Sequence, residues 1–397
     1  MNPERRLPRA PVAGAFWRAV FLVVAAGFAL ATVLRFAFGL GAVTNLSDRF
    51  PWGLWIGFDV LCGVGLAAGA FTLTAVVHLL NLRRFEPILR STVLTALLGY
   101  WLVIVALLFD LGQPWRIWHP IVFRNPRSVM FEVAWCVMLY TTVLLLEFVP
   151  VLLERWSLPK ARRFLHGVTT PLVIAGVILS TLHQSSLGSL YLIVPEKLHP
   201  LWYSPLLPVL FFLSAVGSGL GMVVLESWLS GRAFGRELEM ELLEPLGRAM
   251  AVVLGIYGLL RLIVLRRQGA LGILLDAGYE QAMFWMEFAL GVVVPVGLLA
   301  IERVRRSPSG LVVAAFFSVL GLVANRLNVS VTGMERAAGV RYVPSVMEVL
   351  VSVGLVAVGF ALFAFLARWL PLFPERPPKL APKPSEPART LPAAVEV

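Results

Sequence analysis

The sequence predicts an all-α, polytopic integral membrane protein of about ten transmembrane helices, arranged as two four-helix bundles plus flanking helices. Apolar residues make up 58% of the chain and charged residues 14%, whereas soluble domains are about 45–50% apolar. The apolar residues gather in stretches of roughly 20, the length that crosses a bilayer as a helix. A fainter sign suggests the two bundles: SVMFEVAWCVMLY resembles QAMFWMEFALGVVVP, each with an acid near the same end.

In chain order, residues 1–15 form a basic cytoplasmic segment. The apolar run that follows is too long for the core of a cleaved signal and carries Arg35, so it is a retained helix at 16–38. Further spans are expected at 51–80, 89–111, 128–150, 164–182, 204–229, 244–265, 281–303, 309–330 and 345–370. Pro51, Pro114, Pro126, Pro150, Pro205 and Pro344 punctuate their ends. The transmembrane domain is then 16–370, with bundles at about 51–182 and 204–330 and flanking helices at 16–38 and 345–370. Residues 371–397 are proline-rich without apolar periodicity, which predicts a disordered cytoplasmic tail.

The net charge of +11 does not indicate nucleic acid, because the basic residues cluster in short loops between apolar stretches. Anionic membrane lipids are the expected partner. Arginine and lysine are richest at the N-terminus, around 83–90, 155–163 and 303–306, and in the tail, so these segments and both termini should be cytoplasmic. Cys62 and Cys136 form no CxxC pair, so no iron–sulfur cluster is expected in this chain. His78, His119, His166, His183 and His199 offer no pair deep on facing helices, so neither haem nor a metal site is expected.

Function is legible chiefly in acids that interrupt the spans. An ionised group at the bilayer centre costs at least ~3 kcal/mol and normally serves ion or proton traffic. Asp59 lies about 12 Å deep at the helical rise. Glu132 and Glu287 fall near the outer ends of the fourth and eighth spans, and Glu226 near the inner end of the sixth. Glu226 reads either as a carboxylate snorkelling to the cytoplasmic surface or as a proton gate. Tyr100, halfway down the third span, is a packed aromatic or a relay hydroxyl. His183, with Gln184, Ser185 and Ser186 at the outer end of the fifth span, is a structural histidine or a quinone ligand and proton donor. Trp52 and Trp55 are interface anchors or part of a site, and Asp110 with Arg116 is a loop ion pair or a functional one.

The blocks FGLGAVTNLSDRFPWGLWIGFDVL, LLGYWLVIVALLFDLG, SVMFEVAW, LEFVPVLLERW, STLHQSSLGSLYLIVPEKLHPLWYSP, VVLESW and YVPSVMEVLVSVG, in that order, resemble the NrfD/polysulfide-reductase membrane-subunit family. Within it they look most like the HybB-type subunit of nickel–iron hydrogenases, from about Phe38 to Pro374. The resemblance implies a haem-free subunit of the bacterial inner membrane that binds menaquinone or ubiquinone near the periplasmic face. It also implies a periplasmic ferredoxin-like iron–sulfur subunit docked there, alongside the hydrogenase large and small subunits. By similarity, Tyr100, Glu132, His183 and Glu226 match positions implicated in proton movement. The quinone pocket should lie in the first bundle, with Trp52, Gly53, Asp59 and His183 as candidate walls. Many members carry an arginine after the DLG turn; here Gln113 follows Gly112, which leaves the role of Arg116 open. The same module could serve a molybdenum enzyme or a multihaem cytochrome complex. Buried acids in repeated bundles also suit an ion-coupled secondary transporter.

Overall fold

The computed structural model of the chain describes residues 15–156 and 159–373. Ten of the described helices are long and apolar enough to cross a membrane. In chain order they are α1 (Val20–Phe38), α2 (Trp55–His78), α3 (Arg83–Asp110), α4 (Val129–Glu154) and α5 (Gly167–Ile193). They continue with α6 (Leu207–Phe234), α7 (Met240–Arg267), α8 (Tyr279–Ala300), α9 (Pro308–Ala338) and α10 (Val346–Trp369). Residues 374–397 of the sequence-predicted tail and 1–14 of the N-terminal segment lie outside the described residues.

Helices α2 to α5 close into one bundle, each packing on the next and α5 returning to α2; α6 to α9 do the same. The bundles meet where α2 and α5 pack on α6 and α2 on α9, while α1 packs on α10 and α10 on α3. Lipid supplies no hydrophobic drive for helix association, so close backbone approach through small residues matters more than in water. Gly69 on α2 and Gly219 on α6 supply it: a Cβ on either would run into the other's backbone.

Two spans outrun their expected ends by the most. The fifth, predicted to stop at 182, continues to Ile193, and the ninth, predicted to stop at 330, continues to Ala338. The first extension opens with polar HQSSLGS and the second, VTGMERAA, follows polar Asn328 and Ser330; they stay helical because hydrogen bonds within the protein partner much of this polarity. Gln184 Nε2 donates to the Val64 carbonyl at 2.9 Å, and Thr332 Oγ1 to Asn328 Oδ1 at 2.9 Å. Three segments widen into π-helix, Trp55–Val60, Ala289–Val293 and Asn328–Thr332. Such wide turns gather at functional or strained positions, and here each adjoins a buried acid or its partner. At the opposite end of α9, Ser307 caps the helix through the Gly310 amide at 3.0 Å.

Candidate functional site

The helices alternate in direction, so one end of the molecule carries Trp52 and the other Glu226. Within the first bundle, α3 and α5 bring Tyr100 and His183 together: the phenol oxygen lies 2.9 Å from Nδ1, and both residues are wholly buried. This differs from the outer-end position expected for His183, which sits ten residues before the end of the longer α5. The Tyr100 ring packs edge-on against Tyr140 of α4, centroids 4.8 Å apart. Toward the Trp52 end, Ser186, one turn beyond His183, donates to the Glu132 carboxylate. Glu132 itself is exposed at the start of α4. Around this column, His183 Nε2, Gln184 Oε1 and the hydroxyls of Tyr140, Ser180 and Tyr191 are buried without a protein partner. Buried polar atoms normally have partners, so this density of orphans marks a place for water or a polar ligand.

Below Tyr100, Glu226 is 5% exposed. It accepts hydrogen bonds from Ser91 at 3.2 Å and Ser230 at 2.9 Å. It therefore does not snorkel freely into a loop. Its side chain lines two cavities. One of ≈ 40 Å³ opens among Pro87, Ser91, Arg236 and Phe373, and one of ≈ 10 Å³ lies among Ala67, Thr92, Thr95 and Gly219. Thr92 and Thr95 climb α3 toward Tyr100, which is roughly 12 Å beyond Thr92 at the helical rise. The carboxyl thus stands between the Glu226 end and the buried column.

The remaining candidates lie elsewhere. Asp59, inside the π segment of α2, accepts the Ser352 hydroxyl of α10 at 2.6 Å and so belongs to the α2–α10 seam. Gly53 lies directly against Tyr342 and Leu46, whose side chains a Cβ at this position would strike. Trp52 stands edge-on to Tyr191, 5.6 Å between centroids, and lines an open cavity of ≈ 320 Å³ with Asp48, Arg49, Lys197 and Met334. Of the four expected pocket walls, Trp52 approaches the His183 helix through Tyr191, whereas Asp59 and Gly53 turn toward α10 and its preceding loop. Asp110 does not pair with Arg116, which is exposed. Arg35 of α1 instead spans the Asp110 region, donating at 2.5 Å to the carbonyls of Phe109 and Leu111.

Glu348, at the start of α10, is a structural cap. It closes a capping box with Ser345 and also accepts the Asn45 amide at 3.0 Å and the Tyr342 hydroxyl. Burial, with the Glu348 hydrogen bond second, pushes the Tyr342 phenol above its ordinary range.

Glu287, the acid near the corresponding end of α8, has a contrasting environment. It pairs with Arg261 and accepts hydrogen bonds from Asn325 at 3.0 Å, Asn328 at 2.6 Å and Trp202 at 2.9 Å. Arg326 joins through Asn325 at 2.7 Å and anchors on Ser214 at 3.0 Å. Sequence reading missed this network, although Arg261 and the NRLN stretch inside apolar spans were its available signal.

Residues 42–338 match the family model described as Polysulphide reductase, NrfD. The chain is 41% identical over 357 residues to a Nitratidesulfovibrio vulgaris protein whose name states no function, covering 87% of this chain and 91% of that one. It is 34% identical over 350 residues to the "Probable Ni/Fe-hydrogenase 2 b-type cytochrome subunit" of Escherichia coli, covering 87% and 89%. It is 32% identical over 390 residues to the "Menaquinone reductase, integral membrane subunit" of Nitratidesulfovibrio vulgaris, covering 90% and 92%.

Proposed function

We infer that this chain, which belongs to the polysulphide reductase NrfD family, is the quinone-reactive membrane subunit of a multisubunit oxidoreductase. It passes electrons between an iron–sulfur subunit docked at the Trp52 end and menaquinone or ubiquinone in the bilayer. Support comes from the names of its relatives, one a menaquinone reductase subunit and one a hydrogenase subunit. The observation that carries the reading is the column of Glu132–Ser186 and His183–Tyr100 inside the first bundle, with Glu226 of α6 bonded to its α3 at Ser91.

Quinone reduction joins two electrons to two protons, and the protons must reach a headgroup that stays in lipid. In this reading His183 hydrogen-bonds a quinone carbonyl through Nε2, a role supported by that atom's lack of a protein partner and by the Tyr100 contact at Nδ1. A hydroxyl donating to Nδ1 fixes the tautomer with the proton on Nε2, aimed at an acceptor. Glu132 and Ser186 supply or remove protons at the exposed end, and Glu226 does so from the opposite end. Drawing protons through Glu226 makes reduction electrogenic; drawing them through Glu132 makes it neutral. Trp52 serves the headgroup region. Asp59 and Gly53 hold the α2–α10 side of that region in place.

In this reading the protein sits in the bacterial inner membrane with the Glu226 end and both termini cytoplasmic, following the arginine-rich loops. A ferredoxin-like subunit and the large and small subunits of a nickel–iron hydrogenase are its partners, and the chain itself carries no catalytic centre. Purification by a tag on this subunit tests the assignment. Co-purification of iron–sulfur and hydrogenase subunits with hydrogen-dependent quinone reduction is expected. Solute-coupled ion flux by the chain alone, without a redox partner, would replace the reading with that of a transporter.

A further inference from the structure

One carboxyl in the first bundle has no part in the column described above. Glu147 lies on α4 seven residues before its end, about 10 Å along the axis. It has no ion pair or hydrogen-bond partner among the described residues. Its Oε1 lies against Gly176 of α5, 3.3 Å from where a Cβ on that glycine would stand, and Val143 and Tyr140 line the same spot. The slot exists because residue 176 has no side chain. On the same faces of the two helices, the hydroxyls of Tyr140 and Ser180 are fully buried and unpartnered. Pro150 has no N–H to give the Leu146 carbonyl, so an acceptor is also released beside Glu147. Tyr140 in turn packs on Tyr100.

The geometry points to Glu147 as a second proton-carrying carboxyl of the first bundle, loaded from the Glu226 end and discharging through Tyr140, Ser180 and enclosed water toward Tyr100. This rests on the proton-carrying reading of that bundle. A carboxylate in an apolar seam with no cation or donor is costly, so the resting group is the neutral acid. When its proton moves to water held by Tyr140 and Ser180, the carboxylate left behind is reloaded from the aqueous side. Glu226 serves the α2–α3–α6 side of Tyr100; Glu147 serves the α4–α5 side.

Treatment of membranes holding the intact complex with N,N′-dicyclohexylcarbodiimide tests this, because the reagent adds to neutral carboxyls reached through lipid. Peptide mass spectrometry should find the N-acylurea adduct on Glu147. Quinone-linked turnover should fall about tenfold or more, with dye-linked turnover unchanged. Glu147→Gln should show the same loss without labelling, and Glu147→Asp should recover part of the activity. Absence of the adduct in the wild-type complex overturns the inference whether or not the variants assemble. Full quinone-linked activity in Glu147→Gln, with loss in Glu226→Gln, overturns it and leaves the broader reading standing. Full activity in both variants overturns both.

Discussion

Replacing Tyr100 by phenylalanine removes one oxygen from the buried column and leaves the packing in place. The ring keeps its edge-on contact with Tyr140, centroids 4.8 Å apart, so no cavity larger than a hydroxyl opens. What is lost is the 2.9 Å hydrogen bond to His183 Nδ1. His183 Nε2 already has no partner, so the variant buries an imidazole with both nitrogens unpaired. Leaving a buried polar atom unsatisfied costs about 1–3 kcal/mol, which the ten-helix fold should survive. The catalytic effect should be larger, since removing a positioned proton-transfer group costs roughly 10²–10⁴ in rate. Electron delivery from the donor subunit to a water-soluble dye bypasses the membrane, so the ratio of quinone-linked to dye-linked turnover isolates the column. The ratio should drop about 100-fold or more. A Tyr100→Phe complex that assembles normally and keeps that ratio within about twofold would refute the relay through Tyr100.

Three further expectations concern the stability of the fold. Arg261→Met should destabilise the protein by ~3–5 kcal/mol, because Glu287 would keep a buried charge without its cation, and Arg261→Met/Glu287→Met should regain most of the loss; thermal unfolding in detergent reads both. Gly69→Val should force α2 away from the Gly219 backbone and cost about 1–3 kcal/mol, visible as a lower unfolding midpoint. His199, in the loop before α6, accepts the Leu201 amide through Nδ1 at 3.3 Å. Burial holds its imidazole below the ordinary value; Glu280 opposes the shift and Arg336 adds to it. The folded state therefore favours the neutral ring. Stability should be full above the unfolded value of ~6.5 and fall as pH drops below it toward the lower folded value. Unfolding midpoints at about pH 7.5 and about pH 5.5 should differ, and His199→Gln should narrow the difference.

Helix number and bundle layout were legible in the sequence because apolar length is a strong signal and the bilayer admits few architectures. The helix ends were less legible where polar residues continue inside the protein. HQSS reads as a helix leaving the membrane, yet Gln184 finds the Val64 carbonyl and Ser186 finds Glu132, so α5 carries on. Acids could be placed by depth but not by azimuth. Asp59 and His183 both lie inside spans of the first bundle, yet Asp59 turns to Ser352 of a flanking helix that the sequence does not assign to any face. In the sequence Arg35 argues only against a signal peptide; its hold on Phe109 and Leu111 depends on α1 lying beside α3. The echo between Glu132 and Glu287 was visible as a pattern. Their opposite surroundings arise from Arg261, Asn325 and Asn328, which have no counterpart in the first half of that echo.

The widened turn at Trp55–Val60 has a consequence for how α2 can change. Each residue of a regular helix turns the chain by about 100°, so one surplus residue offsets everything before it from everything after. Trp55 can consequently meet α10 while Val64, farther along the same rod, meets α5. Excising a single residue there would leave the rod's length nearly unaltered but swing Trp55 and the loop before it by more than a quarter of a revolution relative to Val64.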